Sequence, residues 1–102
     1  MRAVLFVAVW RFTTNDAAAF EQHYGRDGTW AQLFRRSADF IRTDLLTDGA
    51  VYLTLDWWAS REAYDAFKRD YAGEYARIDR ECEALTVSEE LVGYFEEVAG
   101  RM

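Results

Sequence analysis

From Ala3 to Phe12 nearly every position is apolar, in two interleaved sets. Val4, Phe6, Ala8, Trp10 and Phe12 share one face; Ala3, Leu5, Val7, Val9 and Arg11 share the other. β-Branched and aromatic residues favour extended backbone. A strand covered on one side only would alternate with polar residues, so this one reads as central and covered on both sides. The period then changes. Thr14, Asn15 and Asp16 supply capping oxygens, Ala17-Ala18-Ala19 favours helix, and Phe20 and Tyr24 fall four apart on one face before a stop at Gly25. After Gly28, Trp30, Leu33 and Phe34 form the i, i+3, i+4 stripe of a second helical segment ending near Arg35-Arg36-Ser37.

Alternation returns in 40–47 and 50–58, which flank Asp48-Gly49, a pair favoured in tight hairpin turns. In the first arm Ile41, Thr43 and Leu45 share a face, opposed by Phe40, Arg42, Asp44 and Leu46. In the second, Val51, Leu53, Leu55 and Trp57 oppose Tyr52, Thr54, Asp56 and Trp58. Ser60 is a good N-cap and Glu62 complements the helix dipole that follows. Tyr64, Phe67 and Tyr71 make that helix's buried stripe. Gly73 predicts an interruption, and Tyr75, Ile78, Cys82 and Leu85 continue at helical spacing over roughly 74–84. A last strand is expected over 85–98. It is long against a usual strand of about 5–6 residues. Its polar centre, Ser88-Glu89-Glu90, predicts a bulge, and its far end is expected to reach beyond its own sheet.

The order strand, helix, strand, strand, helix, strand is the split βαβ arrangement. It implies an α+β fold of ferredoxin-like βαββαβ topology, an antiparallel sheet with helices on one face. The opposite face, apolar on the central strand, then needs its own cover. A second copy of the chain in two-fold contact is the simplest one.

Composition narrows the partners. The 102 residues suit one domain spanning 1–102. Aromatics make up 17% of the chain, a surplus that one small core cannot easily hide. The net charge of −6 argues against nucleic acid, and no apolar run approaches the ~20 residues of a membrane span. Cys82 is the only cysteine and His23 the only histidine. An intrachain disulfide is thus excluded, a cysteine- or histidine-based metal site is not expected, and a cytoplasmic location is. P-loop, GxGxxG, GxSxG and HExxH patterns do not occur.

The topology, the hairpin running into Trp58-Ala59-Ser60, the following Glu62-Ala63-Tyr64 and the Glu-rich last strand resemble the dimeric α+β barrel superfamily. The resemblance is greatest to its antibiotic biosynthesis monooxygenase branch. It spans nearly the whole chain with short motifs, of which Trp58 to Ser60 is the most recognisable. Two departures stand out. Ala38-Asp39 precedes Phe40 where the family often has Pro-Gly, and Phe67 stands where it often has histidine. The resemblance implies a homodimer that oxidises aromatic, polyketide-like substrates with molecular oxygen and without metal, flavin or other cofactor. The alternative is a non-catalytic homodimer that binds a small hydrophobic molecule or serves as a scaffold. Haem degradation, known in relatives, is a third option.

Under the oxygenase reading, His23, Arg42 and Tyr52 are the candidate catalytic groups: a base or donor, a cation, and a phenol. Trp10, Tyr24, Trp30, Trp58 and Phe67 are the candidates to line a pocket, since aromatic faces stack on planar ligands. Each has a plainer reading. His23 lies between Gln22 and Tyr24 on a helix and could be a surface residue. The aromatics could be core. Arg11 and Arg42, if buried, could be satisfied by Asp44 or Asp56 across the hairpin. Trp57 and Trp58, adjacent on a strand, must point to opposite faces. The same rule separates Glu89 from Glu90.

Overall fold

Local signals set most element ends in the computed structural model, which describes residues 4–98. The elements are β1 (Phe6–Thr14), α1 (Ala17–Tyr24), α2 (Thr29–Phe34), β2 (Phe40–Thr47) and β3 (Tyr52–Trp58). α3 (Arg61–Asp70), α4 (Ala72–Cys82), a 3-10 turn (Glu83–Leu85) and β4 (Thr86–Glu96) follow. The Asp16 carboxylate accepts the Ala19 N–H at the start of α1, and the Ser60 hydroxyl accepts the Ala63 N–H at the start of α3. Between β2 and β3, Asp48 accepts from Ala50 and Val51. Gly49 adopts φ 98°, a conformation that an L side chain resists.

The strands form one antiparallel sheet in the order β2-β3-β1-β4. This is the ferredoxin-like α+β arrangement, with the helices on one face. Phe6, Ala8 and Phe12 of β1 and Tyr52 and Trp58 of β3 pack against Phe20, Tyr24, Trp30, Leu33, Phe34, Tyr64, Phe67, Ile78 and Cys82 from the helices. The core is an aromatic lattice. Phe20 stacks on Tyr24 at 4.2 Å, and the fully buried Trp58 meets Phe34, Phe40, Tyr64 and Phe67 at 5.1–5.7 Å. Trp57 lies on the opposite face, as adjacent strand positions require. Among the described residues no helix is long and apolar enough to cross a membrane.

Four expectations need correction. A bulge between Phe40 and Arg42 turns Phe40 to the helix side, where it packs on Phe34 and Trp58 rather than sharing a face with Arg42. The helix break falls at Tyr71, before Gly73, and Gly73 sits in the first turn of α4. In β4 the register shifts flank the polar centre instead of occupying it, and the strand pairs with β1 from Thr86 to Glu96, so no end of it overhangs. Arg11 and Arg42 are exposed, not buried: Arg11 faces Glu90 at 3.9 Å, and Arg42 bonds Asp44 at 3.1 Å. Asp56 serves neither of them.

The face away from the helices carries Leu5, Val7, Val9, Leu53, Leu55 and Trp57 at its centre. Leu46 and Phe95, about half exposed, lie at its two edges. Ala3, a member of that stripe, lies outside the described residues.

Candidate functional site

Between the inner face of the sheet and α1, α2 and α4 lies a cavity. Its walls are aromatic: Trp10 and Phe12 from β1, Tyr24 from α1, Trp30 and Phe34 from α2, and Tyr75 from α4. Thr43, Thr54 and Asp56 of the hairpin, with Asp79 and Glu89, supply its polar groups. The enclosed space is about 40 Å³, and the depression reaches about 440 Å³ when its solvent-open mouth is included. The enclosed part suits a water or a diatomic molecule.

The hairpin places Asp56 here by parity. Tyr52, Thr54, Asp56 and Trp58 alternate inward along β3. Asp56 pairs with Ala8 on one side and Thr43 on the other, and the small Ala8 leaves room beside the carboxylate. Asp56 is 9% exposed. Thr43 Oγ1 donates to its Oδ1 at 2.6 Å. Among the described residues no cation pairs with it and no donor reaches Oδ2. Burial lifts its pKa from the ordinary 3.8 to about 7, and the Thr43 hydrogen bond opposes only part of that rise. A carboxylate poised near neutrality in an apolar chamber can take or return a proton at physiological pH.

Burial also raises the pKa of the Tyr24 and Tyr75 hydroxyls, so both stay protonated. Tyr24 is 7% exposed and lies beside Trp30 and Cys82. The buried Trp30 Nε1–H meets no acceptor within hydrogen-bond distance among the described residues. Glu89 stands at the mouth, its pKa raised by partial burial and by the nearby Asp79 charge. Among the described residues no three His, Cys, Asp or Glu side chains gather as metal ligands.

Of the residues singled out from sequence, Trp10, Tyr24 and Trp30 come together in this cavity. Trp58 and Phe67 lie outside its lining, in the aromatic core. His23, Arg42 and Tyr52 are dispersed. His23 Nδ1 lies 2.8 Å from Thr29 Oγ1, tying α1 to α2. Arg42 is on the open face of the sheet, its guanidinium 5.3 Å from the Trp57 ring. The Tyr52 ring packs on Phe20, and its hydroxyl donates to Glu21 beside a separate, open groove of about 530 Å³. Asp56, which the sequence offered only as an arginine partner, is the titratable group at the centre.

No protein-family model and no curated protein matches the sequence. Solved structures do match in fold. SnoaB, a cofactor-independent oxygenase from Streptomyces nogalater, superposes with a TM-score of 0.72 at 21% identity, covering 98% of this chain and 97% of that one. PA3566 from Pseudomonas aeruginosa gives 0.65 at 19% identity, with coverage of 97% and 98%. A Nitrosomonas europaea protein described as a candidate antibiotic biosynthesis monooxygenase gives 0.60 at 13%, with coverage of 100% and 94%. The chain therefore shares its fold with these proteins.

Proposed function

We propose that this protein is a cofactor-independent oxygenase of small hydroxylated aromatic, polyketide-like substrates. The observation that carries the reading is Asp56: a buried carboxylate with no cationic partner among the described residues, held near pKa 7 inside an aromatic cavity. A phenol binding between Trp10, Tyr24, Trp30 and Phe34 would present its hydroxyl to Asp56, which takes the proton. The resulting phenolate is electron-rich enough to reduce dioxygen by one electron. Recombination of the radical pair forms a C–O bond at a ring carbon bearing hydrogen. Loss of water from that hydroperoxide, with the ring C–H proton leaving, gives a quinone. Substrate plus O₂ yields quinone plus H₂O, and the substrate supplies all the electrons. The Tyr24 and Tyr75 hydroxyls, kept protonated by burial, are the donors available to the peroxide oxygens. His23, Arg42 and Tyr52 have no part in these steps. The test is oxygen consumption with α-naphthol and appearance of naphthoquinone. Asp56→Asn should reduce turnover at least about a hundredfold, as loss of a general base does. Absence of turnover by the wild type across a panel of phenols and quinol-like substrates, or undiminished turnover by the variant, refutes the reading.

The same reading includes a homodimer. The apolar face opposite the helices, from Leu46 through Trp57 and Val7 to Phe95, is of the kind that monomers rarely leave open. A second sheet would cover it.

A further inference from the structure

The charge of the cavity is one-sided. Its titratable acids are Asp56 at depth and Asp79 and Glu89 at the mouth, and neither lysine nor arginine lines it. None of the three carboxylates has an ion-pair partner among the described residues. Their neighbours do: Glu90 faces Arg11, Glu81 pairs with Arg77 at 2.8 Å, and Glu74 pairs with Arg36. Asp79 comes from α4 and Glu89 from β4, so the fold itself brings two like charges to one rim, near enough for Asp79 to raise the Glu89 pKa. Lys68 rests over the Tyr64 and Tyr75 rings at 5.2 and 5.3 Å and does not line the cavity. Trp10 and Tyr75 line the same cavity, and aromatic rings attract a cation through their quadrupoles. The oxygenase reading leaves this rim without a role, and an acidic rim would repel a substrate carrying a carboxylate.

We infer that the cavity selects hydroxyaromatic ligands that carry a protonated amine, with the phenol directed at Asp56 and the ammonium held at the mouth by Asp79 and Glu89 beside the Trp10 and Tyr75 rings. This specifies the substrate class of the proposed oxygenase and rests on that site. Asp56, 9% exposed with its Oδ2 unpartnered, marks the inner end as built for a ligand rather than a solvated acidic patch. The ammonium end distinguishes amine from non-amine ligands.

The experiment is calorimetric titration of the intact protein with three phenols that differ only in the tail: tyramine, 4-ethylphenol and 3-(4-hydroxyphenyl)propionate. Tyramine should bind roughly tenfold tighter than 4-ethylphenol at low ionic strength, and the carboxylate weakest. The double variant D79N/E89Q, exposed at both positions, should bring tyramine close to 4-ethylphenol. Equal affinities for the three ligands, or a preference that survives the double variant, overturns the inference. Both outcomes are read by binding alone, so they stand apart from whether α-naphthol is oxidised. Turnover with no amine preference would remove the specificity and leave the oxygenase; amine preference without turnover would do the reverse.

Discussion

Asp56→Asn should make the protein more stable while reducing its turnover, and the size of the gain follows from the burial of the carboxylate. In the folded chain the pKa is about 7 against an ordinary 3.8. Between those values native Asp56 holds a proton that the unfolded chain releases, so stability falls as pH rises through the window and the loss is complete above it. At about 1.4 kcal/mol per pH unit, the ionised form costs on the order of 2–4 kcal/mol. Asparagine has nearly the same shape, keeps an oxygen for the Thr43 hydroxyl and carries no charge. At about pH 8 the variant should therefore unfold at higher urea, with Tm raised by roughly 10 °C on the scale of a domain this size. The difference should shrink as pH falls toward 4, where the wild-type carboxyl is neutral too. Urea and thermal unfolding at fixed protein concentration, from about pH 4 to 8, measure it; the concentration is held fixed because the proposed dimer would add to apparent stability. A variant less stable at pH 8, or a difference that does not change with pH, would refute the account of Asp56 as an uncompensated buried acid.

Other outcomes follow from the same geometry. For α-naphthol, kcat/KM should rise with pH and level off above about 7, as ionisation of Asp56 generates the base; a flat profile would separate Asp56 from the chemistry. Thr43→Val removes the one hydrogen bond that favours the charged form, so the midpoint of that profile should move to higher pH. Phe95→Glu places a charge on the apolar face and should shift the protein from dimer to monomer by light scattering, whereas an unchanged mass would remove that face as the interface. Ser60→Ala deletes the N-cap of α3 and should cost about 1 kcal/mol in urea unfolding.

Much of the fold could be read from periodicity because the sequence is locally consistent. The capping residues Asp16 and Ser60 sit where helices begin, and Asp48-Gly49 sits where the hairpin turns. The misreadings share a cause. The bulge at Phe40 and the shifts flanking the centre of β4 are choices of pairing register, which depend on what the partner strand offers and leave no local mark. The exposure of Arg42 is a matter of which face the helices cover, again a long-range fact.

Asp56 shows where this limit falls for function. Its parity was plain: it alternates with Tyr52, Thr54 and Trp58, and a carboxylate on the same stripe as a core tryptophan is a charge in an apolar row. What the row could not say is whether an arginine comes with it. Arg42 is nearest in the hairpin, but it projects to the other face and pairs with Asp44. His23, the residue that chemistry alone would favour as a base, spends its Nδ1 on Thr29 between two helices. A buried acid without a counter-ion costs folding stability, and costs of this kind cluster where a ligand or a reaction uses the group. In this chain the acid lies deep in the aromatic cavity, beneath a rim whose two carboxylates are also unpaired. An uncompensated buried acid and an aromatic cavity fall in the same place, and that coincidence, which no stretch of sequence displays, is the reason to propose Asp56 for the chemistry.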